Sequence, residues 1–150
     1  MTKIIKLSNK KNLISNAKKI MIEEAGAVIK TAKGLGPSFI KTINVFFGVK
    51  GKIIVIGIGK SGIISRKIAA TLSSTGSPSV YLHPVECLHG DMGIINPDDA
   101  VLMLSYSGET EETNKLLPFL KSKGLPIVAI TKGLKSKLAK RSDITIPLNI

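Results

Sequence analysis

The sequence predicts an α/β fold: a doubly wound, three-layer domain in which helices cover both faces of a five-stranded parallel sheet. From residue 51 onwards, short β-branched segments alternate with segments of helical periodicity, which is typical of parallel strands joined by crossover helices. The predicted strands are apolar at almost every position, as expected when both faces of a sheet are buried. For such a doubly wound sheet with right-handed crossovers we predict the flavodoxin-like strand order 2-1-3-4-5.

The individual elements follow from hydrophobic spacing and turn residues. Two helices come first, over residues 15–32 and 38–47, separated by a Gly-Leu-Gly-Pro break. We expect residues 1–48 to form a helical lead-in that packs on a main domain at residues 49–150. Three further helices are predicted over residues 61–73, 111–121 and 135–141. The five predicted strands cover residues 52–56, 79–83, 100–104, 126–130 and 143–148.

Composition narrows the class of protein. The chain has 150 residues, of which 43% are hydrophobic, so it can bury a core and is too apolar for a disordered protein. Its apolar runs are too short to span a bilayer, and its lysine-rich start lacks the apolar segment of a secretory signal. The single cysteine, Cys87, has no partner for an internal disulfide, which suits a reducing compartment. We therefore predict a cytoplasmic protein without a membrane partner.

The net charge of +12 is unevenly distributed, because residues 1–50 hold ten lysines against two glutamates. A basic arm for nucleic acid is one interpretation of this excess, and a solvated helix face is the other. The lysines form no long run and no aromatic residues are interleaved with them, so we favour the solvated face and predict no nucleic-acid partner. The remaining residues carry a charge of +4, which favours a phosphorylated ligand.

Two loops carry the candidate chemistry: the first loop (residues 57–62, Gly-Ile-Gly-Lys-Ser-Gly) and the second loop (residues 105–110, Ser-Tyr-Ser-Gly-Glu-Thr). They follow strands 1 and 3, which are neighbours in the predicted order, so both open onto one crevice. Each leads into a helix, whose first backbone N–H groups are free to bind an anion. The hydroxyl groups available there belong to Ser61, Ser105, Ser107 and Thr110. Together these groups predict a cradle for a phosphate.

Other interpretations of these loops are less favoured. The first loop spells G-x-G-x-x-G, but a dinucleotide site needs an acidic residue about twenty positions on, where Leu82 and His83 stand and no carboxylate occurs before Glu86. A Walker A loop would need glycine where Ile54 stands. In a single such loop, the serine, threonine and glycine residues would be explained by their common roles in turns and helix caps. Two loops at adjacent strand ends favour a phosphate site.

Six stretches carry a family resemblance. They read GKIIVIGIGKSG, RKIAATLSSTGSP, LHPVECLHGDMGII, LSYSGETEE, GLPIVAIT and LAKRSDITIPL. Residues 51–148 thereby resemble the sugar isomerase (SIS) domain, and within that superfamily they look most like the arabinose-5-phosphate isomerase family. SYSGET marks the superfamily only, whereas the combination of GKSG, STG-x-P, HP-x-E and HGD-x-G is more specific.

The resemblance implies a cofactor-independent enzyme that interconverts D-ribulose 5-phosphate and D-arabinose 5-phosphate through an enediolate, supplying Kdo for lipopolysaccharide. Lys60 and Glu112 match catalytically important positions: the lysine would offset enediolate or phosphate charge, and the glutamate is a candidate base. The implied partners are a small-molecule sugar phosphate and further copies of the chain, in a dimer or tetramer. Positions matching substrate or phosphate contacts are Ser61, Gly76, Ser77, His83, His89, Ser105, Ser107 and Thr110.

A metal site at His83, Cys87 and His89 is the remaining chemical alternative. Two histidines and a cysteine without a fourth ligand make a poor structural zinc site, so we predict no metal and retain His83 only as a candidate for an inhibitory metal.

The family pattern continues beyond the fifth strand with a catalytic glutamate, a histidine and, in most members, a pair of CBS domains. We therefore expect a chain truncated after strand 5, with weak or absent turnover on its own and an uncovered apolar face on that strand. The alternative function is a non-catalytic module that binds or senses a sugar phosphate, or an inactive remnant.

Overall fold

The computed structural model describes residues 10–149, which fall into two compact units. One contains helix α1 (Lys10–Lys33), and the other, Leu35–Leu148, contains the sheet. Helix α2 (Pro37–Gly48) belongs to the unit that contains the sheet, and the predicted domain boundary at residue 48 stays a prediction. Within residues 10–149, none of the helices combines the length and the apolar character that a membrane crossing requires.

The sheet has five parallel strands in the order β2-β1-β3-β4-β5, which confirms the predicted fold. β-Branched and other apolar side chains dominate the three central strands, and these are buried almost throughout, because helices cover both of their faces. The strands are β1 (Ile53–Ile56), β2 (Ser79–Leu82), β3 (Ala100–Leu104), β4 (Ile127–Thr131) and β5 (Ile144–Pro147).

Alternate side chains along each strand enter different layers of the core. On β1, Ile54 and Ile56 join the cluster that packs against the helices following β2, β3 and β4, while Ile53 and Val55 join the cluster under α2 and α3. The helices that follow the strands are α3 (Gly59–Ser74), α4 (Pro84–Leu88), α5 (Glu111–Lys115), α6 (Leu117–Ser122) and α7 (Lys137–Arg141), and a 3₁₀ turn occupies Asp91–Ile94.

Two features of the helical layer differ from the sequence prediction. The single helix predicted over residues 111–121 is two, α5 and α6, because Pro118 has no N–H to bond the carbonyl of Asn114 and its ring crowds the preceding turn. Helix α4 and the 3₁₀ turn were not predicted. They are five and four residues long, too short for hydrophobic periodicity to reveal.

The apolar face of the fifth strand is less exposed than the sequence predicts. All four of its residues are half-buried, and Ile144 and Ile146 pack against the same core cluster as Phe46 of α2. Helix α2 therefore contacts β5 and covers part of the apolar face that was expected to stand open.

A buried carboxylate ties the amino ends of β1 and β3 together. Asp99 precedes β3, and its oxygens accept hydrogen bonds from the backbone N–H of Lys52 at 2.9 Å, the Lys52 ammonium at 2.8 Å and the N–H of Asn96 at 2.8 Å. Burial opposes ionisation, but the bonds from the Lys52 side chain and from the two N–H groups outweigh it, so the pKa of Asp99 lies below its ordinary value.

Replacing Asp99 by alanine is expected to lower the free energy of unfolding by about 3 kcal/mol, because it leaves the half-buried Lys52 charge and two N–H groups without their acceptor. Since the native pKa lies below the unfolded value, the contribution of Asp99 is complete above about pH 4 and is lost as the pH falls through the native pKa. Chemical denaturation at pH 7 and below pH 4 measures both effects.

Asp143 offers the matched control. It precedes β5, accepts the N–H of Ile127 at 2.8 Å and pairs with Lys121, but it is 47% exposed. Asp143→Ala should therefore cost no more than about 1 kcal/mol. Equal losses for the two variants would contradict the importance of burial at Asp99.

Candidate active site

The two candidate loops leave the sheet side by side. Ile56, the last residue of β1, lies beside Met103 of β3 in the parallel register. The first loop follows Ile56 directly, and the second follows Leu104, the residue after Met103. Both loops therefore lie at the carboxyl edge of the sheet and flank one crevice, as the predicted strand order requires.

The first loop brings the start of α3 close to the sheet. A Cβ on Gly57 would stand 2.9 Å from the carbonyl oxygen of Ser61 and 2.5 Å from the hydroxyl of Ser65, so only glycine fits there. The first N–H groups of a helix have no intrahelical partner, and helix α3 begins without a side-chain cap that would accept from them. Lys60 is exposed and Ser61 half-buried in that turn. An ammonium, a hydroxyl and free amides thus stand at one end of a 16-residue helix.

The second loop offers hydroxyl protons. The buried Ser105 hydroxyl accepts the N–H of Gly108 at 3.1 Å and lies 2.9 Å from the Thr110 hydroxyl, and either of the two hydroxyls can donate in that pair. The Ser107 hydroxyl accepts the N–H of Glu109 at 3.1 Å. One proton of the Ser105–Thr110 pair and the Ser107 proton remain for a ligand. The hydroxyl oxygens of this loop already accept hydrogen bonds, so the loop offers donors to a ligand, and an anion binds through donors.

Hydrogen bonds from the segment after β4 hold the second loop in place, and the sequence did not predict this contact. The Leu138 N–H donates to the Gly108 carbonyl at 3.1 Å, and the Lys137 N–H donates to the Glu109 carboxylate at 3.0 Å. Gly108, at φ +71°, packs directly against the Ser136 side chain. The one sequence signal was Ser136 itself, a residue suited to capping a helix, whose hydroxyl accepts the Ala139 N–H at 3.2 Å.

The two catalytic candidates lie in the helices that follow the two loops. Lys60 is in the first turn of α3, and Glu112 is half-buried in the first turn of α5. The neighbouring Glu111 is exposed and bonds Lys115 at 2.8 Å, one helical turn along, which lowers the pKa of the Glu111 carboxyl. Within the described part of the chain Glu112 forms no ion pair, so its carboxylate is free to act on a ligand.

The histidines lie around α4. His83 follows β2 at the same edge of the sheet and caps α4, its Nδ1 accepting the Val85 N–H at 3.3 Å. That bond requires an unprotonated Nδ1 and leaves Nε2 to face a ligand. His89 stands at the other end of α4 and is exposed.

Gly76 and Ser77 lie at the opposite edge of the sheet. They follow α3, which runs back across the sheet, and precede the amino end of β2, where the Pro78 carbonyl accepts the N–H of Ile53 at 2.8 Å. The four residues of β1 separate them from the crevice, about 13 Å of extended chain. A single copy of the chain therefore does not bring these two residues to the other site candidates, and their predicted substrate contact stays a prediction.

Metal ligation finds little support around α4. Cys87 is fully buried in the core, and burial, followed by the nearby charge of Asp91, raises the pKa of its thiol to about 11. A thiol that stays protonated at neutral pH is a poor ligand. In the part of the chain covered by the structure, no three His, Cys, Asp or Glu side chains are grouped so that they could hold a metal ion.

Comparison with known proteins agrees with the geometry of the crevice. The SIS domain family model matches residues 46–150. Arabinose 5-phosphate isomerase KdsD of Pseudomonas aeruginosa is 40% identical over 144 residues, covering 96% of this chain and 44% of its own length. For arabinose 5-phosphate isomerase KpsF of Escherichia coli O6:H1, the identity is 42% over 139 residues, covering 92% of this chain and 42% of that protein.

A solved structure of the protein c3406 of E. coli CFT073, in complex with arabinose 5-phosphate, superposes with a TM-score of 0.91 at 39% identity, covering 95% of this chain and 76% of that chain. The chain spans less than half the length of the curated relatives named above. Because the family model covers more than half of the chain and the solved relative shares both fold and sequence with it, the chain belongs to the SIS domain family.

Proposed function

We propose that this chain forms the catalytic sugar-phosphate crevice of an aldose–ketose isomerase that interconverts D-ribulose 5-phosphate and D-arabinose 5-phosphate. The observation that carries the proposal is the pairing of two donor-rich loops at the ends of the hydrogen-bonded neighbours β1 and β3. Relatives named arabinose 5-phosphate isomerases, about 40% identical to this chain, support the reaction class over a sensing role.

In this proposal the phosphate lies between the two loops. The free amides at the start of α3 and the Ser61 hydroxyl bind it from the side of β1. From the side of β3, the Ser107 hydroxyl and one hydroxyl of the Ser105–Thr110 pair donate to it. The exposed Lys60 adds a positive charge at the same edge, where a helix start already favours an anion.

The reaction needs a base and stabilisation of an oxyanion. Glu112 would remove the proton from C1 of D-ribulose 5-phosphate, so that the electron pair of that bond forms the C1–C2 double bond of an enediolate with its charge on O2. Transfer of the O1 proton to O2 and return of the proton to C2, with formation of the C1=O1 double bond, then give the aldose. Lys60 would offset the enediolate charge, and Nε2 of His83 would bond a sugar oxygen.

We further propose that copies of the chain associate as a dimer or tetramer in the cytoplasm. Gly76 and Ser77 lie too far from the crevice of their own copy, so their contact with the sugar would be made in the crevice of another copy. His89 is exposed beside α4, and we also keep its predicted contact with the substrate as a proposal. Light scattering of the purified chain measures the assembly, and a monomer at all concentrations would contradict this part of the proposal.

Incubation with D-ribulose 5-phosphate in D₂O tests the reaction. We expect only slow formation of D-arabinose 5-phosphate, in line with the weak turnover predicted for the chain on its own. The product should carry deuterium at C2, detected by NMR, because the migrating proton exchanges with solvent on the base. D-Ribulose without the phosphate should bind at least about a hundredfold more weakly, since it lacks the charge-assisted bonds. Binding without exchange would favour the sensing alternative, and absence of binding would contradict both.

Ser105→Ala is expected to weaken binding of D-arabinose 5-phosphate by about tenfold, because it removes a donor and frees the Gly108 amide from its acceptor. Isothermal titration calorimetry measures the change. Ser122→Ala is the matched control, since its exposed hydroxyl bonds the Phe119 carbonyl away from the crevice. An equal loss in both variants would argue against a role of Ser105 in binding.

A further inference from the structure

The strands that flank β1 and β3, which are β2 and β4, each hold one peptide group of the adjacent loop through a side-chain hydroxyl. The Tyr81 hydroxyl, on β2, donates to the carbonyl oxygen of Gly57 at 3.0 Å. On β4, the Thr131 hydroxyl donates to the carbonyl oxygen of Tyr106 at 3.1 Å, and the Lys132 N–H donates to the same oxygen at 3.0 Å. In each loop, therefore, a strand outside the crevice holds a carbonyl that belongs to the crevice wall.

These bonds set the direction of the amides that follow. Every described peptide bond is trans, so the C=O and N–H of one peptide group point in opposite directions. The Gly57 carbonyl points toward the Tyr81 hydroxyl and lies against Gly62 of α3, so the N–H of Ile58 points away from both. The Tyr106 carbonyl points toward β4, so the N–H of Ser107 points away from β4, toward β1 and the crevice.

The two amides are available for a ligand. Among residues 10–149, neither the Ile58 N–H nor the Ser107 N–H has a hydrogen-bond partner. They belong to loops that follow neighbouring strands. In each of these peptide groups the carbonyl oxygen already accepts a hydrogen bond, and the N–H is left for a ligand. A pair of donors that approaches one crevice from both walls suits a phosphate.

The two hydroxyls are themselves held in place. Tyr81 is half-buried, with the Arg66 guanidinium 4.8 Å from its ring centroid. Thr131 is fully buried, and its oxygen also accepts the Gly133 N–H at 3.1 Å. Neither side chain needs to rearrange when a ligand arrives, so the amides they orient are fixed beforehand.

We infer that Tyr81 and Thr131 are positioning residues, which turn the Ile58 and Ser107 amides into the crevice as donors to the phosphate of the substrate. The inference rests on the proposed function, because it assumes that a sugar phosphate occupies the crevice. Neither residue touches the ligand in this arrangement. Each acts through one carbonyl oxygen and the amide of the same peptide group.

Titration of ¹⁵N-labelled protein with D-arabinose 5-phosphate tests the inference. In the unmodified chain the Ile58 and Ser107 amide resonances should both move on binding. In Tyr81→Phe, which keeps the ring and its contact with Arg66, the Ile58 response should be lost while that of Ser107 remains. In Thr131→Val the Ser107 response should be reduced instead, because the Tyr106 carbonyl loses one of its two donors and keeps the Lys132 N–H. Each variant should bind about fivefold more weakly.

Two controls separate positioning from general destabilisation. Thr131→Ser keeps the hydroxyl and should restore both the Ser107 response and the affinity. Thr145, on β5, lies away from the crevice, and its hydroxyl donates to the carbonyl of Ala139 in α7. Thr145→Val removes this hydroxyl and should change neither the Ser107 response nor the affinity.

Three outcomes decide the matter. The residue-specific loss and reduction described above support the inference. Tight binding without a response of the Ile58 and Ser107 amides, or with normal responses in both variants, overturns the inference and leaves the proposed function standing. Absence of any response in the unmodified chain overturns both.

Discussion

Glu112→Gln is expected to slow exchange of the C1 hydrogen of D-ribulose 5-phosphate with solvent by about a thousandfold, the usual contribution of a positioned general base. The amide has nearly the shape of the carboxylate but does not accept a proton. Binding of the sugar phosphate should change by less than about threefold, because Glu112 acts on the carbon that loses its proton and leaves the phosphate contacts intact. Loss of the C1 proton signal in D₂O measures the rate.

Glu111 offers a matched control for this substitution. It lies one position earlier in α5, is exposed and bonds Lys115, so its charge is engaged on the helix surface near the helix start. Glu111→Gln should leave the exchange rate within about twofold of the original, as expected for a surface substitution away from the reacting atoms. Equal slowing by both substitutions would contradict the assignment of the base to Glu112.

Gly108→Ala is expected to remove the second loop from its present position. The residue has φ +71°, and a Cβ there would collide with the side chain of Ser136. Backbone strain and overlap together should cost about 3 kcal/mol. The melting temperature of the chain should then fall by about 6–12 °C. Since the loop carries Ser105, Ser107 and Thr110, binding of D-arabinose 5-phosphate should weaken by at least about a hundredfold when their donors are displaced.

The control for Gly108 is another glycine with the same backbone conformation. Gly124 also has φ +71°, but no atom lies within 4 Å of the position its Cβ would take. Gly124→Ala should therefore cost only the backbone strain, about 1 kcal/mol, and leave ligand binding unchanged. If Gly108→Ala were no more harmful than Gly124→Ala, contact with Ser136 would not hold the loop.

Much of the fold and part of the site could be predicted because their signals are local. The strand β1 is a run of β-branched residues, and the turn that follows it is rich in glycine. The flavodoxin-like strand order was predicted as a common arrangement of doubly wound sheets, and this order placed Lys60, Ser105 and Glu112 around one crevice. The hydroxyl and glycine content of the loops then indicated an anion.

Other features escaped prediction because they depend on distant residues. The run of α3 places Gly76 and Ser77 at the other edge of the sheet from the crevice, and their predicted contact with the sugar stays a prediction. Cys87, a possible metal ligand by spacing, is buried in the core. The division of one predicted helix at Pro118 had a local signal, but the helical periodicity around it masked the break.

Local patterns along the chain were enough to predict the strands and the residue types of the two loops, because β propensity and turn chemistry act over short stretches. The strand order was predicted from the known arrangements of doubly wound sheets. Which groups orient those loops depends instead on tertiary packing. The Tyr81 hydroxyl reaches a carbonyl 24 residues away, Thr131 one 25 residues away, and the Glu109 carboxylate an amide 28 residues away. Such bonds form only after packing has brought the strands together, so no local pattern in the sequence announces them.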